Sequence, residues 1–175
     1  MIKSPEEQKK YIDYVRTLGV KIGDNCKMSS SIHWGSEPFL IEIGNHCSLS
    51  YGIDFITHDG ATWLFREENQ YKGIKKFARI KVGDNCYIGA RTTILPGVKI
   101  DSNCIVGACS VVTKSLKSNA VYAGNPAKYI CSLDEYIEKC VENNKKYNQN
   151  YIKSENRKER ILSTLEGYDE YKPYI

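Results

Sequence analysis

Three histidines, at positions 33, 46 and 58, are the side chains best suited to carrying a proton near neutral pH. The third has the richest surroundings. From Thr57 to Glu68 the sequence reads Thr-His-Asp-Gly-Ala-Thr-Trp-Leu-Phe-Arg-Glu-Glu, so a His, a Trp, an Arg and three acids fall within twelve residues. Rings, opposite charges and a general base in one short segment suit a substrate pocket better than a tether. His46, between Asn45 and Cys47, falls in a turn and is expected to face solvent. His33, in Ile32-His-Trp-Gly-Ser-Glu-Pro38, is read as structural, in a stretch expected to leave the chain's periodicity. Seven cysteines are the other reactive inventory. No Cys-x-x-Cys pair points to zinc, and no Gly-x-Ser-x-Gly elbow points to a covalent nucleophile.

The elements that must position these groups are written in a six-residue period. Val82, Ile88, Ile94, Ile100, Val106 and Val112 recur every six positions, each followed four residues later by Cys86, Thr92, Val98, Cys104, Ser110 or Leu116. Neither a helix nor an ordinary strand produces that spacing. The unit also appears as Ile22-Gly-Asp-Asn-Cys26 and Ile43-Gly-Asn-His-Cys47. Three hexads make eighteen residues, the separation of Cys86 and Cys104, so these two are expected to stack on adjacent coils. Cys26 and Cys47 take the equivalent slot, and their separation of 21 implies a small insertion. Four thiols are thus read as a buried column, Cys109 as the outward one, and Cys131 and Cys140 as belonging to a C-terminal helix or its approach. Between Phe55 and Val82 the register breaks, and a loop over 57–79 leaves the coil.

Composition bounds the remainder. At 175 residues the prior is one compact domain, and no run of about twenty apolar residues could span a bilayer. The start, Met-Ile-Lys-Ser-Pro-Glu-Glu, does not resemble a secretion signal, and an odd cysteine count fits free thiols in a reducing cytoplasm. The net charge of +4 is mild and the basic pairs (Lys9-Lys10, Lys75-Lys76, Lys145-Lys146) are scattered, which argues against a nucleic-acid surface. Ser4-Pro-Glu-Glu7 and Ser132-Leu-Asp-Glu135 are helix starts. The expected organisation is an N-terminal helix over 1–19, a β domain over 20–130 and a helical extension over 131–175, with a frayed tail after Gly167.

The hexads, closed by Ala123-Gly-Asn-Pro-Ala-Lys128, resemble those of the hexapeptide-repeat acetyltransferases, similar to the galactoside, maltose and xenobiotic enzymes. The resemblance covers roughly residues 20–130. It implies a mainly β fold, a left-handed parallel β-helix of triangular coils, against the usual right-handed crossover. It further implies acetyl-CoA as donor substrate, direct transfer without an acetyl-enzyme or a metal, and a homotrimer with sites between subunits.

By that resemblance His58 is the general base that takes the acceptor's proton. Its orienting partner is left open between the adjacent Asp59 and the distant Glu37, and a backbone N–H at a coil turn would serve the oxyanion. Gly89-Ala90 and Gly107-Ala108, eighteen residues apart, form a smooth wall for the pantetheine arm; Ala90 and Ala108 match coenzyme A contacts, and Tyr87 an aromatic residue near the reaction centre. Thr113 and Lys114, assigned to the next coil, match further contacts, and Lys114 and Lys128 would meet the nucleotide phosphates. Relatives often continue with an Arg-rich run, where this chain has Tyr129-Ile-Cys-Ser-Leu-Asp-Glu. Trp63, Phe65 and Arg66 are candidates for the acceptor pocket, and a Trp face favours a sugar or nucleotide-linked sugar. The competing readings are a non-catalytic β-helix scaffold and a γ-carbonic anhydrase-like zinc enzyme.

Overall fold

The computed structural model describes residues 4–145 and 156–165, and the chain divides into two compact units between Cys131 and Ser132. The first unit begins with helix α1 (Pro5–Thr17). Ser4 caps it by accepting from the Glu7 N–H, and the Glu7 carboxylate accepts from the Ser4 N–H in return. Ile12 and Val15 turn inward, and Gly19, at φ +100°, carries the chain out of the helix.

Two further α1 side chains serve the first coil's open edge. The Gln8 amide donates to the Met28 carbonyl at 2.8 Å and accepts from the Met28 N–H at 3.1 Å. Arg16 donates to the Ile22 and Gly23 carbonyls at 2.9 and 3.1 Å. Side chains thus satisfy backbone groups that another coil would otherwise pair.

Coil follows coil from there. The first holds β1 (Lys21–Ile22) and β2 (Lys27–Met28); the second β3 (Ile41–Ile43), β4 (Ser48–Leu49) and β5 (Asp54–Phe55). The third holds β6 (Ile80–Val82), β7 (Tyr87–Ile88) and β8 (Thr93–Ile94), and the fourth β9 (Lys99–Ile100), β10 (Cys104–Val106) and β11 (Val111–Val112). Then come β12 (Ala120–Ala123) and β13 (Lys128–Ser132). The strands stack into three sheets, ordered β1-β3-β6-β9, β13-β12-β10-β7-β4-β2 and β11-β8-β5. Pairing from β1 through β12 is parallel, residue on equivalent residue, as in Ile43↔Val82 and Val82↔Ile100.

The hexad residues point inward as the period requires: Val82, Ile88, Ile94, Ile100, Val106 and Val112 are fully buried. One expectation is corrected. Trp34 stands six residues after Met28, and its ring stacks on Phe55 at 5.1 Å and 6° between planes. His33 pairs with Asp54 across the coils, so the register holds through Trp34 and breaks only at Gly35.

The thiol column forms as the eighteen-residue spacing demands. Cys26, Cys47, Cys86 and Cys104 are buried, each S–H donating to a carbonyl one coil on: Gly44, Gly83, Asp101 and Lys117, at 3.1–3.3 Å. Hydrogen bonding to the Cys104 thiol, with burial, pushes the Cys86 thiol up to about 11. Cys109 is exposed and Cys131 buried. At the same corner, one residue before the thiols, Asn25, His46, Asn85 and Asn103, with Asn119 on the next turn, all adopt φ of 53–60°, a region Asn tolerates better than most residues. Their side chains bond coil to coil, His46 Nδ1 to Asn85 at 2.8 Å and Asn85 Nδ2 donating to Asn103 at 2.8 Å. His46 is exposed, as its turn position implied.

The second unit contains α2 (Leu133–Lys145) and α3 (Arg157–Thr164), the latter capped by Asn156. Ser132 and Glu135 form the expected reciprocal cap. Cys140 lies within α2, and the tail after Gly167 falls outside the described residues. No helix among the described residues is long and apolar enough to cross a membrane.

Ile100→Ala removes a fully buried side chain that pairs with Val82 and should lower unfolding stability by about 2–5 kcal/mol. Cys109→Ser, at an exposed corner, should stay within about 0.5 kcal/mol. Denaturant midpoints of the two variants check both values.

Candidate active site

The β-helix gains residues twice, both times between the β5-β8-β11 sheet and the β1-β3-β6-β9 sheet; at the same corner the last turn is two residues short, Leu116 pairing with Ile100 and Tyr122 with Val106. From Trp34 to Ile43 there are nine residues where six would continue the hexad, and from Phe55 to Val82 there are 27. The first break turns at Gly35, where φ is +67° and a Cβ would lie 2.7 Å from the Phe55 carbonyl oxygen, so only glycine fits. It continues through Glu37 into the 3₁₀ turn Pro38–Leu40. The second break carries Thr57 and His58 directly out of β5.

Strand alternation decides what each contributes. Phe55 and Thr57 face inward and are buried, while Ile56 is exposed and His58 half-buried. The inward Thr57 hydroxyl donates to Glu37 Oε2 at 2.6 Å, and His58 Nδ1 lies 3.0 Å from the same oxygen. The Glu37 side chain keeps only 19% of its exposure. The Thr57 hydroxyl, then the His58 ring, hold its carboxyl below the ordinary 4.5. An ionised carboxylate only accepts, so His58 donates from Nδ1 and keeps its lone pair on Nε2. Of the two acids left open by the sequence, Glu37 meets the imidazole. Asp59 instead accepts from Lys76 Nζ at 2.8 Å and from the Ala61 N–H at 3.0 Å, capping the 3₁₀ turn Gly60–Leu64.

The long insert folds back on its own start. The Asp59 N–H donates to the Lys76 carbonyl and the Ala78 N–H to the Thr57 carbonyl, both at 2.9 Å, with His58 and Phe77 paired antiparallel between them. The Phe77 ring lies 5.7 Å from that of His58, tilted by 54°. This return borders an open cavity of about 340 Å³ lined by Glu37, His58, Asp59, Gly60, Thr62, Arg66, Lys75, Lys76 and Phe77. Trp63 does not line it: the residue is 62% exposed. Phe65 packs edge-on against Tyr71 at 5.6 Å. A larger cavity, about 740 Å³, lies between α1 and the first coil and contains neither His58 nor Glu37.

The stacking expected of the small residues is present. A Cβ on Gly89 would overlap the backbone nitrogen of Ala108, and one on Gly107 would sit 2.9 Å from the Ala123 Cβ. The Cys109 N–H donates to the Ala90 carbonyl at 2.8 Å, fixing one pair over the other. Tyr87 is half exposed on β7, and Lys128, exposed, opens β13. Thr113 and Lys114 are exposed, and their placement is corrected: they follow β11 in the same coil as Ala108, not the next, because one coil spans three strands. Ala90 and Ala108 therefore occupy one corner of the prism, and His58, Thr113 and Lys114 the next, with the β5-β8-β11 sheet between them.

Thr57, Lys75, Lys76 and Phe77 were not picked out by sequence. A signal for the Glu37–His58 pairing was present nonetheless. They are 21 residues apart, the separation of Cys26 and Cys47, so they occupy equivalent places on adjacent coils. Among the described residues, no group of three or more His, Cys, Asp or Glu is arranged to hold a metal ion.

A family model described as bacterial transferase hexapeptide (six repeats) matches residues 79–114. Protein CapG of Staphylococcus aureus is 44% identical over 160 residues, covering 90% of this chain and 89% of that protein. A chloramphenicol acetyltransferase of Klebsiella aerogenes is 30% identical over 155 residues, covering 73% and 74%. The chain belongs to the hexapeptide-repeat acetyltransferases. Its fold is shared by galactoside acetyltransferase, solved in complex with coenzyme A, with a TM-score of 0.56 at 21% identity over 87% of this chain and 82% of that one. The architecture of this acetyltransferase is accordingly the left-handed β-helix.

A depressed carboxyl contributes stability above its ordinary pKa and loses it as pH falls through the lowered value. Removing the hydroxyl in Thr57→Val should therefore move Glu37 back toward 4.5. Heteronuclear NMR should report the higher carboxyl titration. An unchanged Glu37 titration would contradict the assigned hydrogen bond.

Proposed function

We propose that this chain transfers an acetyl group from acetyl-CoA to a hydroxyl or amine of a saccharide acceptor, by direct attack with His58 as general base. The observation that carries this reading is the chain of hydrogen bonds Thr57–Glu37–His58, which leaves the lone pair of Nε2 for an incoming proton. In the proposed reaction the acceptor's oxygen or nitrogen attacks the thioester carbonyl while Nε2 removes its proton. The tetrahedral adduct collapses, the carbon–sulfur bond breaks, and the proton on His58 passes to the departing thiolate. Glu37 never takes the proton; its negative charge orients the ring and stabilises the transient imidazolium.

The donor assignment rests on family membership, on the stacked small residues at 89–90 and 107–108, and on a fold shared with a protein crystallised with coenzyme A. Ala90 and Ala108 leave backbone open beside a narrow ligand, while Thr113, Lys114 and Lys128 offer a hydroxyl and two ammonium groups. Tyr87 would flank the thioester. Because Ala90 and Ala108 occupy a different corner from His58, a site complete in all these residues calls for neighbouring prisms. A homotrimer acting in the cytoplasm is the assembly proposed.

His58→Ala should lower kcat by about 10²–10⁴-fold without changing the melting temperature by more than a few degrees. Coenzyme A release over a panel of saccharides measures the first, and full activity in the variant would remove His58 from the mechanism. Coenzyme A at 100 times its Kd should stabilise the fold by about 2.7 kcal/mol. A melting curve indifferent to saturating acetyl-CoA and coenzyme A would sink the donor assignment.

A further inference from the structure

Charge in the His58 cavity is unbalanced, and its geometry says where. Arg66, Lys75 and Lys76 line it against two acids, Glu37 and Asp59. Both acids are already engaged: Glu37 by Thr57 and His58, Asp59 by Lys76 at 2.8 Å. Among the described residues neither Arg66 nor Lys75 has an ion-pair partner. The remaining acids of the insert do not compensate. Glu67 and Glu68 lie outside the lining, and Glu68 accepts from Gln70.

Backbone pairing sets where the exposed side chains of these cations start. Lys76 is tied by its carbonyl to the Asp59 N–H, and Lys75 precedes it in the strand-like return whose Phe77 faces His58. Arg66 follows the 3₁₀ turn Gly60–Leu64, its N–H donating to the Thr62 carbonyl at 3.0 Å. A guanidinium forks onto two oxygens of one anion and an ammonium adds a point charge, the combination suited to a carboxylate or phosphate group. A neutral sugar offers such a pair only hydroxyl oxygens, and both cations would then stay unmatched beside the bound ligand.

Resting on the acetyltransferase reading above, we infer that the acceptor is an anionic saccharide, its carboxylate or phosphate held by Arg66 and Lys75 while the hydroxyl or amine to be acetylated meets His58 Nε2.

The test uses matched pairs: methyl galactoside against its uronate, and glucose against glucose 1-phosphate. Binding to the full-length protein is followed by ligand-observed NMR and turnover by coenzyme A release. At least one charged member should bind about tenfold or more tightly than its neutral partner, and which pair responds separates carboxylate from phosphate. That preference should weaken with added salt and fall toward unity in Arg66→Ala/Lys75→Ala. Equal binding of charged and neutral members, binding of neither, or a preference that survives the double substitution overturns the proposal. Stabilisation by coenzyme A is read separately on the same protein: if it persists while the anion preference is absent, only the acceptor inference has failed.

Discussion

Each coil of this protein is hydrogen-bonded to the next through its backbone, in three parallel sheets at once, so any position must be compatible with the one a full turn away. That stacking constraint reaches into almost every choice of residue. Inward positions are aliphatic because they see only other inward positions. The Gly23-Gly44-Gly83 corner admits no side chain, since a Cβ on Gly23 or Gly44 would meet the next coil's backbone below 3.0 Å. Two residues further along the same turns the backbone needs positive φ, and Asn supplies it along with an amide that bonds its counterpart on the next coil. Cysteine fits the column because a thiol is small, tolerates burial and still reaches a carbonyl one coil on.

The same constraint explains where the site can be. A regular coil offers short strands and tight corners, with no room for a cavity. Only where residues are added does the chain leave the prism, and both additions leave by the same corner on successive coils. The short one delivers Glu37 and the long one His58, so two interruptions that look unrelated along the chain meet as one hydrogen-bonded pair. Thr57 belongs to both worlds. Its side chain points inward with the core, yet its hydroxyl reaches the carboxylate that holds the imidazole. The candidate site is thus anchored on the buried core of the coil, while its other wall is the insert.

That division also orders the electrostatics. Glu37 is kept ionised by two donors and is committed to positioning, whereas Asp59, next to His58 in sequence, is committed to Lys76 and to capping a turn. Adjacency along a strand sends neighbouring side chains to opposite directions, so a residue one coil away is better placed than a residue one bond away. Arg66 and Lys75 are then left as the charges without a counter-ion in the cavity.

Much of the coil was legible in the sequence by itself, because its period is local and its reason is stacking. The hexads, the inward columns, the four buried thiols, the helix caps and the two insertions follow from residue type and spacing alone. His58 entered as the candidate base through the family resemblance, and a bare repeat distance of 21 residues relates Glu37 to it. The tertiary structure alone decided between Glu37 and Asp59, brought in Thr57, turned Trp63 away from the cavity and folded Lys75 and Lys76 back beside His58. These depend on which way an irregular insert closes. That is settled by pairing across the insert, between His58 and Phe77, a contact that no periodicity encodes.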